Sequence, residues 1–148
     1  MAVASQTKIT PLISSGTAGP LGALHLPRLW TKLTLAAAGV LPEGYDECGS
    51  GFDAMTIDGL GLNKDEVITY IRTRKPTYVE FEEFVRQKGK TDPDTIRKHN
   101  QAISGYHHSD EKAATMHKDM GSQQHHVKDA VTLNTLEDLH ELHQTVTR

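Results

Sequence analysis

Apolar residues recur every three to four positions over much of the chain, a period that predicts amphipathic helices. Leu29, Leu33 and Ala37 form such a stripe, bordered by Trp30, and Pro27 suits the first turn of that helix. Gly39 and the Leu41-Pro42-Glu43-Gly44 stretch end it, and residues 43–52 read as a glycine-rich loop around Cys48. A short helix follows through 52–60. Three further helices carry start signals: Asn63 with Glu66, Thr77 with Glu80, and Asp92 before Pro93. Their inner faces are Val67, Ile68 and Ile71, then Phe81, Phe84 and Val85, then Ile96 and Ile103. Ser109 predicts the cap of a polar helix with Ala113, Met116 and Met120. A last helix is expected from an Asn134–Glu137 capping box, with Leu136, Leu139, His143 and Val146 on one face. Residues 121–131 read as loop, with a short edge strand over 127–133 as an alternative.

The expected fold is therefore mainly all-α, a compact domain of about five to six helices. Residues 1–25 have no helical period and contain Pro11, Pro20, Gly16, Gly19 and Gly22, so they read as an irregular arm. That arm either stays loose or lies on the body through Leu12, Ile13, Leu21, Leu24 and Leu26. Residues 26–148 read as a single helical domain, less regular and histidine-rich from about 104.

Charge and composition narrow the partners. Nineteen acidic and sixteen basic residues give a net charge of −3, unlike the basic balance of a nucleic-acid binder. No apolar run approaches the about 18 residues of a membrane span. The opening MAVASQTKITPLISSG lacks the charged start and apolar core of a secretory signal. With one cysteine, Cys48, no intramolecular disulfide can form, and a cytoplasmic location is the expectation.

Leu26-Pro27-Arg28-Leu29, Lys32, Ala38-Gly39, Tyr45, Cys48 and Asp53 together form a motif. It continues with Leu60-Gly61-Leu62, Glu82-Glu83-Phe84-Val85, Asp94-Thr95-Ile96 and Asn100. Over residues 26–104 the chain resembles the bacterial DUF5069 family. It departs at Thr34-Leu35, where a further basic residue is expected, and at Pro42-Glu43-Gly44-Tyr45, which replaces a more regular turn. The resemblance implies a helical fold and a bacterial origin, and carries no activity.

Histidine is the compositional outlier: nine are present, and seven follow residue 106. Imidazole transfers protons near neutral pH and binds divalent metals, so His107, His108 and His117 are candidate catalytic groups together with Tyr45 and Asp53. His140 and His143, with Glu137 one turn earlier, are candidate ligands for a divalent metal. The competing reading makes His140 and His143 the edge of a packed face, and His107-His108 and His125-His126 solvated loops. Adjacent histidines on a helix point about 100° apart, and none forms a His-Glu-x-x-His signature. His99 reads as a partly buried packing residue.

Arg28 and Lys32, four apart, share one side of the first helix and are candidate substrate-binding cations for a carboxylate or other anion. The alternative is structural: Arg28 pairs with Asp53 and pins the glycine-rich loop. Cys48 lacks an evident base. Walker, dinucleotide and Cys-x-x-Cys motifs are absent. Two functional classes follow. One is a small lyase or hydrolase acting on a small polar or anionic organic molecule by histidine acid/base chemistry. The other is a non-catalytic helical assembly protein or small-ligand sensor, with a homo-oligomer expected.

Overall fold

A computed structural model of the chain describes residues 7–148, so the first six positions of the arm lie outside the described residues. Seven helices form among them: α1 (Leu26–Ala37), α2 (Phe52–Gly59), α3 (Lys64–Arg74), α4 (Tyr78–Lys88), α5 (Pro93–Ser104), α6 (Asp110–Met120) and α7 (Ala130–Val146). The all-α expectation holds. The two weakest patterns, α2 and α6, both form as full helices.

Local capping explains most of the starts. Asn63, Asp92 and Ser109 each accept a bond from the third residue of the helix that follows. Thr77 and Glu80 exchange bonds in a complete capping box. Each such cap satisfies orphan amides and contributes about 1 kcal/mol.

Packing then sorts the helices. α1 buries Leu26, Leu29 and Leu33 against Ile57, Val67, Ile71, Phe81 and Val85 of α2, α3 and α4. Full burial of each such side chain contributes about 1.5–3 kcal/mol. Phe52, Ile103 and Ala130 join α2, α5 and α7 in a second cluster. Ala113, Met116 and Leu133 hold α6 and α7 together in a third. The chain is thus a four-helix body with α5 across α2, and an α6–α7 hairpin docked beside them.

The arm lies on the body, held by side chains that bond its backbone. Asn100 Oδ1 accepts from the Leu24 amide (2.9 Å), and its Nδ2 donates to the Gly22 carbonyl (2.8 Å). The buried Glu82 accepts from the Leu21 amide (3.1 Å) and the Tyr78 hydroxyl (2.7 Å). Gly19 passes so close that an added Cβ would fall 2.5 Å from Glu82 Oε2. His99 is more deeply buried than its pattern predicts, and donates through Nε2 to the Leu24 carbonyl (2.8 Å).

Arg28 ties arm, body and hairpin together. Its Nη1 donates to the Pro11 and Ile13 carbonyls (2.8 and 2.9 Å), and both terminal nitrogens grip Asp138 of α7 (2.6 and 3.0 Å). Two expectations are corrected here. Arg28 pairs with Asp138, not Asp53. The last helix starts at Ala130 on an Asp129 cap, five residues past a start too early for an Asn134 cap, so 130–133 is helical rather than strand. Its inner face is Ala130, Leu133 and Asp138, while Leu139 (52% exposed) and Val146 (69%) point outward. The apolar period misleads because a charged residue holds an inward position.

Removing Asp138 strands a buried guanidinium. Asp138→Ala is expected to lower unfolding free energy by about 3–5 kcal/mol, read from urea denaturation followed by circular dichroism. Loss below 1 kcal/mol would show that the pair does not hold the hairpin.

Candidate functional site

The body and the hairpin meet along one polar cleft. Its inner part is a cavity of about 220 Å³ bounded by His25, Lys32, Gly49–Phe52, Asp53, Tyr106, His108, Lys112 and Asn134. Its outer part, about 400 Å³, is bounded by Glu43–Asp46, Glu137, Asp138 and Glu141. Arg28, Lys32, Asp46, Lys112 and Asn134 border both.

At the floor, Asp53 receives three bonds: His25 Nε2 at 2.7 Å, Lys32 Nζ at 2.5 Å and the Gly49 amide at 2.8 Å. Burial alone would raise the Asp53 carboxyl, but the His25 hydrogen bond and the Lys32 ammonium outweigh it and hold it down to about 2. Burial, opposed by Asp53 and reinforced by Lys32 and Arg28, pushes the His25 imidazole below its ordinary value. Neutral His25 therefore donates from Nε2 to Asp53 and accepts at Nδ1 from the Ser15 hydroxyl (3.0 Å). The ring sits just ahead of α1 at φ 71°, a left-handed conformation unusual outside glycine. Bonds on both nitrogens hold it there, and through Ser15 they fasten the arm to the floor. Ser15 and Asp53 are 1% and 3% exposed, so this Ser–His–Asp line is a closed structural relay rather than an open nucleophile.

The wall is an aromatic run. His25 meets Phe52 at 5.5 Å, Phe52 meets Tyr106 at 5.6 Å, and Tyr106 meets His108 at 5.8 Å. Residues 106–108 lie extended against 128–130 through the Ala130–Tyr106 and His108–Lys128 backbone bonds. Extended backbone turns neighbouring side chains to opposite faces, so His107 is exposed and His108 is buried in the cleft. His108 Nε2 lies 3.4 Å from Asn134 Oδ1, a long contact, and its buried Nδ1 has no partner. Burial holds the His108 imidazole below its ordinary value, against the Asn134 contact, with Lys112 adding a smaller push in the same direction. The neutral ring with Nε2–H toward Asn134 leaves a lone pair on Nδ1.

The predicted residues divide sharply. Arg28, Lys32, Tyr45, Asp53 and His108 converge on the cleft. His107 does not. His117 is fully buried elsewhere, donating from Nε2 to the Val127 carbonyl and accepting from Ser122, both at 2.8 Å, so it locks the α6–α7 loop. Tyr45 donates to Asp138 Oδ1 (2.8 Å), and burial followed by that carboxylate raises its phenol well above the ordinary value. It anchors α7 and does not exchange protons near neutrality. Burial, then Asp53, likewise raises the half-buried Cys48 thiol. His140 is half-buried and His143 exposed. Among the described residues no group of three His, Cys, Asp or Glu side chains is arranged to hold a metal ion, so His140, His143 and Glu137 do not complete a ligand set.

His25, Lys112 and Asn134 are site residues that the sequence pattern leaves unmarked. The one signal for His25 is its place just before Leu26-Pro27, the cap position of a helix with proline in its first turn. Lys112 has no ion-pair partner within 4 Å among the described residues. α2 begins at Gly51 without a side-chain cap, so its leading amides also remain open. No protein-family model matches the chain, and no curated protein matches it either.

These shifts fix a pH dependence. His25, His99 and His108 all lie below their unfolded values, so the unfolded chain binds more protons and stability falls as pH drops below about 6.5. The contribution of Asp53 is complete above about pH 4 and is lost as pH falls toward its folded value of about 2. The melting temperature is expected to decline below pH 6.5 and again below pH 4, with the second step reduced in Asp53→Asn. A melting temperature that rises on acidification contradicts this.

Proposed function

We propose that the cleft binds a small anionic organic molecule and that His108 is the group that exchanges a proton with it. A buried His108 Nδ1 without a partner, in a polar cavity bordered by the unpaired Lys112, carries this reading. An unsatisfied buried acceptor costs about 1–3 kcal/mol, and such cost is tolerated where a ligand supplies the missing bond. Lys112 supplies the attractive charge, and the open amides at the start of α2 favour an anion. Arg28 and Lys32 border the cleft while remaining neutralised by Asp138 and Asp53. They shape the site and set its field, and Lys112 supplies the remaining cation.

A neutral imidazole with a free lone pair is a general base, and a burial-lowered value keeps it neutral at physiological pH. The reaction class proposed is therefore proton transfer on a small anionic organic molecule, of lyase or hydrolase type. His107 and His117 have no part in it. Kinship with the DUF5069 family belongs to the same proposal. It is supported by the way the resembling residues Arg28, Lys32, Tyr45 and Asp53 form one polar network around the cleft. Homo-oligomeric assembly is also proposed, supported by the outward Leu139 and Val146. Residence in the cytoplasm is proposed on the single cysteine. No helix among the described residues is long and apolar enough to cross a membrane.

Calorimetric titration with acetate, pentanoate, inorganic phosphate and methyl phosphate tests the site. At least one is expected to bind saturably at one per chain. His108→Gln and Lys112→Ala should each weaken it roughly fivefold, as for loss of one charge-assisted contact, with melting temperatures near that of the parent. Absence of saturable binding, or binding indifferent to both substitutions, refutes the site.

A further inference from the structure

The two ends of the cleft differ in the charge they leave unmet. At the inner end Asp53 is fully engaged by His25, Lys32 and Gly49, which leaves Lys112, the His108 Nδ1 and the α2 amides. At the outer end Asp138 is consumed by Arg28 and Tyr45. Glu43, Glu137 and Glu141 remain there, none with an ion-pair partner within 4 Å among the described residues.

We propose that the occupant of the cleft is a zwitterion, with its anionic group at the His108–Lys112 end and an organic cation at the Glu43–Glu137–Glu141 end. This deepens the anion-binding reading and rests on it. The shared border of Arg28, Lys32, Asp46, Lys112 and Asn134 makes the two cavities one continuous space, so a single molecule can reach both ends. A simple monoanion leaves three carboxylates uncompensated, and a dianion meets them directly, where like charge is repelled. A bound metal is a poorer fit, because no three of the acidic or histidine side chains among the described residues are arranged as ligands. An ammonium needs no such geometry, since it is a compact charge with several donors that suits dispersed carboxylates. Partial burial, followed by the neighbouring Asp138, raises the Glu137 carboxyl above its ordinary value, as expected of an acid lacking a counter-charge.

The test uses the full chain and ω-amino carboxylates of four to six carbons, each compared by NMR titration at low salt with the carboxylate of equal length and with glutarate. The best amino carboxylate is expected to bind about tenfold more tightly than its unsubstituted partner, and glutarate more weakly than either. The double substitution Glu137→Gln/Glu141→Gln should bring the matched pair within about twofold of each other. Thermal melting reports whether the variant folds, and added salt should compress the preference in the parent chain independently of any substitution. Carboxylates that bind as tightly as their amino partners at every length overturn the zwitterion and leave the anion site standing. Failure of every probe to bind overturns both.

Discussion

The bidentate contact between Arg28 and Asp138 is the constraint on which the arrangement depends. Both groups are buried, and each would be costly alone. Arg28 also saturates two carbonyls of the arm, and Asp138 takes the Tyr45 hydroxyl, so nearly every donor and acceptor in the cluster is used. One side chain on α1 thereby fixes the positions of the arm, the 38–51 loop and α7. One turn further along α1, Lys32 does the same for α2 through Asp53. Such pairs add little net stability over apolar packing but tolerate few alternative partners, which favours one docking geometry for the hairpin.

The cleft is a consequence of that docking. Because the two buried cations are met from within, they shape the site without dominating its charge. The groups left over are those at the margins: Lys112 near the start of α6, His108 just ahead of it, and the carboxylates of α7 and the loop. His108 faces inward only because 106–108 pairs with 128–130, and that pairing requires α7 to start at Ala130. The position of the candidate base thus follows from the helix start, and the helix start from the Asp129 cap.

Local features of the fold were readable in the sequence, and distant ones were not. The caps at Asn63, Thr77, Asp92 and Ser109 depend on residues three apart, and the Leu29–Leu33 stripe depends on the helical repeat alone. The four-residue spacing of Arg28 and Lys32 correctly puts both on one side of α1. Their partners are 110 and 21 residues away, and no local pattern distinguishes Asp138 from other acids. The same limit applies to histidine. Clustering in sequence singled out seven residues after 106, yet only His108 reaches the cleft. His25, isolated in the arm, lies at its floor. Adjacent His107 and His108 part ways because extended backbone alternates faces, whereas His117 was consumed by the carbonyl and hydroxyl of its own loop.

The account turns on His108 as a neutral, unpartnered imidazole waiting for a ligand. Its most direct test is the titration of the His108 ring by NMR, in the free chain and with a saturating anion found to bind. Free His108 is expected to titrate below its ordinary value, and bound anion should move the titration upward, because a negative charge beside the ring favours its protonated form. A His108 that titrates at its ordinary value and does not respond to any bound anion would contradict the account.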